Sequence, residues 1–237
     1  MGVILEAREV SRVYHAGANT VHALSGVSME LHEGRMIVIG GRSGSGKTTL
    51  LNILGGLDRP DGGKVLFRGQ DLHALSEVEL TDWRRHQVGL VFQSFALMPH
   101  LTAIENVEIP LRLAGVPWRE RRERAEECLH LVGLYKRAKH RALELSGGEQ
   151  QRTGIARAIA NQPSLILADE PMGELDFETG LRVLELFRTI VDRNGITVCI
   201  ATHDSAAGDY SDEKLRIEDG RLVPETDIDR VKTKEAE

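Results

Sequence analysis

Eight consecutive residues in the first quarter of the chain have the types and spacing of a phosphate-binding loop. The run Gly41-Arg42-Ser43-Gly44-Ser45-Gly46-Lys47-Thr48 fits the pattern G-x-x-x-x-G-K-[ST] at every position, and Thr49 follows it. The glycines let backbone N–H groups converge on one anion, and a helix that starts here adds partial positive charge. Lys47 would reach the β- and γ-phosphates, and the Thr48 hydroxyl would take one position on Mg²⁺. A glycine-rich turn that binds nothing is the alternative, but the complete motif favours nucleotide binding.

A pair of acids ends a second apolar run. Leu165 to Glu170 is typical of a buried strand, and its last two residues are Asp169 and Glu170. Two adjacent acids can divide the work, because Asp169 can hold Mg²⁺ through its water shell while Glu170 polarises an attacking water. Acidic pairs also begin ordinary turns, yet the phosphate loop upstream favours the catalytic interpretation.

Three single residues are weaker candidates. Gln93 stands at the end of the apolar run Val88 to Phe92, and His203 follows the run Ile196 to Ala201. Ligands are contacted at strand ends of parallel sheets, although a lone Gln there is more often a turn residue. Tyr14 is either a half-buried packing residue or a ring that stacks on a flat ligand.

A further glycine pair lies at a predicted helix start. Ser146 and Glu149 have the S-x-x-E spacing of a capping box, with Gly147 and Gly148 between them. A well-capped helix is the simple interpretation, but it leaves both glycines unexplained, since glycine lowers helix stability. The alternative is a second anion site built from unhindered N–H groups at a positive helix end.

The surrounding pattern supplies the elements that position these groups. Arg35 to Gly40 predicts a buried strand before the loop, and Thr49 to Leu54 predicts a helix after it. Alternating apolar residues between Val3 and Leu31 predict strands nearer the N-terminus. Ser76 to Glu79 opens another helix with a capping box.

One helical stripe carries an interpretation of its own. Trp118, Ala125, Leu129 and Val132 fall on one side of a predicted helix, and we interpret the stripe as core packing.

Composition limits the classes of partner. The chain has 237 residues, 41% of them hydrophobic, and a formal net charge of −6, which does not favour nucleic acid. Cys128 and Cys199 stand alone without metal-like spacing, so we expect a reducing compartment and no structural metal. The apolar runs are too short to cross a bilayer. We therefore expect a cytoplasmic chain without direct lipid insertion, for which any membrane role comes through a partner.

Taken together, the motifs resemble those of the ATP-binding subunit of an ABC transporter, over nearly the whole chain. The resemblance implies an α/β P-loop NTPase fold, with a RecA-like core of mainly parallel sheet, an antiparallel β subdomain and an inserted α-helical subdomain. It implies one domain over residues 1–224, with the core at about 1–95 and 150–224, the helical part at about 96–149, and a charged mobile tail at 225–237. The cofactors implied are ATP and Mg²⁺.

The resemblance also assigns roles. Residues Gly41 to Thr48 correspond to the Walker A loop, Tyr14 to the adenine-stacking residue and Gln93 to the Q-loop glutamine, which with Thr48 and Asp169 would hold the metal. Further correspondences are the ABC signature, the Walker B pair, the D-loop aspartate and the switch histidine, at Leu145–Gln150, Asp169 with Glu170, Asp176 and His203. Lys47, Glu170 and His203 would be catalytic, and ATP would also contact Ser146 to Glu149 and Asp176.

The segment from Leu90 to Val107 is similar to a narrower branch, which contains the lipoprotein-releasing, macrolide-exporting and cell-division ATPases. The expected partners are a second ATPase copy and a membrane permease subunit. ATP hydrolysis would drive that subunit in export, lipoprotein release or mechanotransmission, with the chain peripheral on the cytoplasmic face of the inner or plasma membrane. Regulation of a cell-wall hydrolase through a membrane partner and a soluble, non-transport ABC ATPase are alternatives. Met172 and Glu174 depart from the usual D-loop sequence, where they would alter communication between two sites.

Overall fold

A computed structural model describes residues 2–17 and 19–223 of the chain. The predicted tail at 225–237 lies outside the described residues. The strands in the described part are β1 (Val3–Ala16), β2 (Asn19–His32), β3 (Met36–Gly40), β4 (Gly62–Phe67), β5 (Gln70–Asp71), β6 (Val88–Val91), β7 (Leu165–Asp169), β8 (Thr197–Thr202), β9 (Glu213–Glu218) and β10 (Arg221–Val223). The α-helices are α1 (Lys47–Leu54), α2 (Glu77–Gln87), α3 (Ala103–Leu113), α4 (Trp118–Leu131), α5 (Gly147–Ile159) and α6 (Phe177–Asn194).

The central sheet has the order β10-β9-β3-β8-β7-β6, and every neighbouring pair except β10 with β9 is parallel. Both faces of this sheet are covered, and successive side chains divide between two cores as the two-residue period of a strand requires. In β3, Met36 and Val38 enter one core, and Ile37 and Ile39 enter the other. The mainly parallel α/β architecture is therefore confirmed.

A second sheet, of order β2-β1-β4-β5, is antiparallel throughout. Its apolar face and α1 cover one side of the central sheet. The other side is covered by α3, α4, α5 and α6. Both sheets therefore share one core with the helix that follows the phosphate loop.

Helix starts follow the capping signals of the sequence. Ser76, Thr102 and Ser146 each accept the N–H three residues on, and a glutamate at that position accepts back from the cap. The capping boxes predicted at Ser76 and Ser146 are confirmed, and the box at Thr102 is an additional one. Each box satisfies two N–H groups that a helix end leaves unpaired.

One part of the predicted apolar stripe is wrong. Ala125, Leu129 and Val132 are buried, but the Trp118 side chain is 67% exposed. Trp118 is the first residue of α4 and directly follows the N-cap residue Pro117. No helix among the described residues is long and apolar enough to cross a membrane.

Candidate nucleotide site

The phosphate loop joins the end of β3 to the start of α1 and lies against both sheets. A Cβ atom on Gly41 would stand 2.5 Å from the carbonyl oxygen of Ile217 in β9. One on Gly46, where φ is +108°, would stand 2.4 Å from the carbonyl oxygen of Ala23 in β2. Backbone atoms cannot move aside as a side chain can, so both positions require glycine.

Lys47 lies inside the loop it belongs to. Its Nζ donates hydrogen bonds to the carbonyl oxygens of Gly41 at 2.8 Å and Arg42 at 3.1 Å. The same nitrogen lies 3.4 Å from Oε1 of Glu170, and Lys47 is only 5% exposed. The loop cation and the second predicted acid are therefore in direct contact.

The first acid, Asp169, contacts the end of the loop. The hydroxyl of Thr48 donates to its Oδ2 at 2.8 Å, while its Oδ1 is buried without a hydrogen-bond partner among the described residues. Burial raises the pKa of Asp169 above its ordinary value, although the Thr48 hydrogen bond acts in the opposite direction. A buried oxygen without a partner next to a hydroxyl is the donor set that a hard divalent cation such as Mg²⁺ uses.

Glu170 is placed just beyond the strand, which is shorter than the predicted run by one residue. Its φ is +44°, a region that non-glycine residues rarely adopt and that is common at functional sites. Its Oε2 accepts hydrogen bonds from Thr202 Oγ1 and contacts His203 Nδ1, both at 2.9 Å. Burial raises the pKa of Glu170, but the hydrogen bonds from His203 and Thr202 outweigh it and leave this pKa below its ordinary value. Glu170 is therefore an ionised carboxylate at neutral pH.

A cleft of about 930 Å³ brings most of these residues together. This volume fits a small-molecule ligand of nucleotide size. Gly41 and Ser45 do not line it, whereas Lys47, Asp169 and Glu170 do. The lining residues are Tyr14, Val21, His22, Ala23, Arg42, Ser43, Gly44, Gly46, Lys47, Thr48, Thr49, Gln93, Asp169, Glu170, His203, Asp219 and Gly220.

Gln93 reaches the cleft because a glycine makes room for it. A Cβ atom on Gly173 would stand 2.9 Å from the Gln93 side-chain nitrogen. The turn after the two acids thus packs directly on Gln93, and Gln93, Asp169 and Glu170 line the same cleft.

The predicted second anion site occupies a different cleft. Ser146, Gly147, Gly148, Glu149 and Asp176 line a volume of about 510 Å³ that shares no lining residue with the first. The carboxylate of Glu149 accepts from Ser146 N at 2.9 Å and from Arg137 Nε at 3.0 Å. Within one chain, the phosphate loop and this helix start therefore do not meet.

Packing gives a reason for one of the two glycines at that helix start. A Cβ atom on Gly148 would stand 2.5 Å from Cγ2 of Thr179 in α6, whereas one on Gly147 would have only ordinary contacts, the nearest at 3.5 Å. Asp176 caps α6 by accepting from the Thr179 N–H at 3.0 Å and its hydroxyl at 2.7 Å. The idea that a capped helix leaves both glycines unexplained is therefore wrong for Gly148.

Comparison with known proteins gives the family. The sequence profile of the family described as ABC transporter matches residues 24–173 of this chain. The chain belongs to the ABC transporter family. An uncharacterized ABC transporter ATP-binding protein of Thermotoga maritima is 50% identical over 94% of each chain. The lipoprotein-releasing system ATP-binding protein LolD of Geobacter metallireducens is 43% identical over 94% of this chain and 99% of its own.

Two further ABC proteins are a longer relative and a solved dimeric structure. The macrolide export ATP-binding/permease protein MacB of Sodalis glossinidius is 45% identical over 96% of this chain, which covers 35% of MacB. A dimeric ATP-binding cassette, solved in a post-hydrolysis state with ADP and Pi, is 40% identical over 93% of this chain and 97% of its own, with a TM-score of 0.85. The resemblance to the branch of lipoprotein-releasing and macrolide-exporting ATPases is confirmed, and the chain is an ABC ATPase.

Several contacts of this ABC ATPase were not predicted. Val21, His22 and Ala23 of β2 and the turn Asp219-Gly220 line the nucleotide cleft. These residues are not part of a sequence motif. Their position at the cleft depends on how the antiparallel sheet packs against the phosphate loop. Of these residues, only the Asp-Gly pair has a recognisable sequence signal, which is that of a turn.

The two unusual residues that follow the acidic pair, Met172 and Glu174, lie in different surroundings. Met172 is 7% exposed and packs into the chain's own core, where a Cβ atom on Gly180 would contact it at 3.4 Å. Glu174 instead lines the cleft of the signature residues. Of the two residues, Glu174 is the one whose side chain is exposed at the protein surface.

Proposed function

We propose that this chain is the ATP-hydrolysing subunit of a membrane complex, and that two copies close around two ATP molecules to drive a separate permease subunit. The observation that supports it best is the contact network at the cleft base. There Lys47 lies 3.4 Å from Glu170, and Thr48 donates to Asp169 at 2.8 Å. One site thus contains a cation that can bind phosphate, a hydroxyl and an acid that can hold a metal, and an ionised base.

The two separate clefts support the dimer. The phosphate loop lines one cleft and Ser146 with both signature glycines lines the other, so neither cleft alone contains the full set. A two-fold arrangement completes both sites at once. The dimeric cassette with ADP and Pi has the same fold, which supports this arrangement.

Each residue then has a defined task. Lys47 holds the β- and γ-phosphates, and Tyr14 stacks on the adenine. The hydroxyl of Thr48, with Gln93 and Asp169, would hold Mg²⁺, which would neutralise charge that develops on the phosphates. Glu170 accepts a proton from the attacking water as the water oxygen bonds to the γ-phosphorus and the bond to ADP breaks. His203 Nδ1 lies 2.9 Å from Glu170 Oε2, and in this proposal His203 would contact the γ-phosphate.

The coupled process is export or lipoprotein release. LolD and MacB belong to such systems by name, and MacB contains its permease in the same chain. The chain would bind the cytoplasmic face of a membrane through its partner. Detergent extraction of the native complex and identification of the co-purified membrane subunit tests this directly.

The Glu170→Gln variant tests the catalytic assignment. Loss of a general base slows turnover by roughly 10²–10⁴-fold, while ATP binding is retained and the dimer is trapped. Turnover is measured as phosphate release, and the dimer by size-exclusion chromatography with light scattering. Glu185→Gln, an exposed change on α6, is the matched control and should behave as wild type. Wild-type turnover in Glu170→Gln would show that another group is the base.

A further inference from the structure

Three side chains outside the phosphate loop form a closed cluster at Tyr14. The Tyr14 hydroxyl donates to Oδ2 of Asp58 at 2.7 Å. The Arg12 guanidinium donates to both oxygens of the same carboxylate, at 3.0 and 2.9 Å. The guanidinium carbon of Arg12 also lies 4.8 Å from the centre of the Tyr14 ring. The ring is therefore held at its hydroxyl and covered on one face by a cation.

The local backbone explains why these groups meet. Arg12 and Tyr14 are two residues apart in β1, so their side chains leave the same face of the strand. Asp58 lies four residues beyond the end of α1, the helix that begins at the phosphate loop. The segment between α1 and β4 thus connects the loop to the ring.

A second carboxylate fixes the same segment to the strand. Asp61 accepts from Arg12 Nη1 at 3.0 Å and from the backbone N–H of Val13 at 2.7 Å. The Val13 N–H, together with the Arg12 guanidinium, holds the pKa of Asp61 below its ordinary value. Arg12 is consequently bonded to two acids and stays charged next to the ring.

We propose that Arg12 and Asp58 are positioning residues for the nucleobase, which stacks on the face of the Tyr14 ring opposite Arg12. The inference rests on the proposed function, since it assumes ATP in the cleft that Tyr14 lines. A cation on one face of an aromatic ring is an attractive contact, and the hydroxyl anchor fixes the ring about its remaining torsion. A ring already ordered in this way loses little side-chain freedom when a base binds.

Paired variants and two ligands test the cluster. Tyr14→Phe keeps the ring and removes its anchor, and Arg12→Gln removes the cation. Tyr135→Phe is the control for Tyr14→Phe. The Tyr135 ring stacks on His130, and both residues are far from Tyr14 in the sequence. Arg68→Gln is the control for Arg12→Gln, because Arg68 lies over the ring of Phe67 at 5.4 Å. Calorimetric titration measures binding of Mg-ATP and of inorganic tripolyphosphate, which has no base.

We expect Tyr14→Phe and Arg12→Gln to weaken ATP binding by about two- to tenfold, the equivalent of ordering one side chain on binding. Tripolyphosphate binding should be unchanged, KM for ATP should rise, and kcat should stay as in wild type. Both controls should bind the two ligands as the wild type does.

The opposite results are distinct. Unchanged ATP binding in both variants, or an equal loss for ATP and tripolyphosphate, would overturn the inference and leave the proposed function intact. A wild-type chain that binds neither ligand would overturn the proposed function itself, and the inference with it.

Discussion

The segment after Gln93 contains two residues in an unfavourable backbone conformation, and one arginine of α5 donates hydrogen bonds to both of them. Phe95 and Ala96 have φ values of +59° and +48°. Arg157 in α5 donates to the carbonyl oxygen of Phe95 at 3.1 Å and to that of Ala96. Burial lowers the pKa of Arg157 below its ordinary value.

The Arg157→Met variant removes both hydrogen bonds while keeping an apolar stem. Two bonds from a charged donor contribute about 1.5–3 kcal/mol each. Release of two left-handed residues returns about 1–2 kcal/mol each. With the middle of each range, the net loss in unfolding free energy is about 1–2 kcal/mol. The melting temperature should then fall by about 2–8 °C for a chain of this size.

A double-mutant cycle with Ala96→Gly shows whether Arg157 maintains the backbone. Glycine carries no penalty at positive φ, so Ala96→Gly should stabilise the wild-type chain. In the Arg157→Met background the segment is free to leave that conformation. The same change should then destabilise, by about 0.5–1 kcal/mol, through the greater freedom of the unfolded chain. Urea unfolding measures all four proteins, and equal effects of Ala96→Gly in both backgrounds would refute the reasoning.

Two further predictions concern the start of α5. Gly148→Ala should lower the unfolding free energy by about 1–3 kcal/mol because its methyl group overlaps Thr179. Gly147→Ala has room and serves as the control, and an equal loss in both variants in urea melts would contradict the packing argument. The second concerns pH. The Ser146 N–H holds the pKa of Glu149 below 4.5, so the stability it contributes is present above that value and is lost as the pH falls through the lowered pKa. The stability difference between wild type and Glu149→Gln should be constant above about pH 5.5 and shrink toward pH 3; a difference that did not change with pH would refute it.

The sequence predicted best what depends on neighbours along the chain. The strand–loop–helix around Lys47, the capping boxes and the strand ends that carry Asp169 and His203 follow from local pattern and hydrogen bonding. The exposure of Trp118 was missed because a stripe specifies a direction around a helix and not how far the neighbouring helix extends. Family resemblance supplied the roles of Tyr14 and Gln93, for which the residues alone left alternatives.

What the sequence could not provide depends on pairs far apart in the chain. Asp58 is 44 residues from Tyr14, and their contact exists only because the segment before β4 folds back on β1. The contact of Thr179 with Gly148 likewise depends on the approach of α6 to α5. No spacing rule connects such residues, since each contact is a product of how whole elements pack.

The position of the phosphate loop between the two sheets also determines how movement passes through the molecule. Gly46 abuts the carbonyl of Ala23 in β2, Gly41 abuts that of Ile217 in β9, and the N–H of Gly220 donates to Ser45 at 3.0 Å. Close-packed interiors transmit strain, so a shift of this loop is passed to both sheets at once. In mechanical terms the loop is rigidly connected to both sheets. A displacement of this loop would therefore pass through β2 to β1, the strand that carries Tyr14.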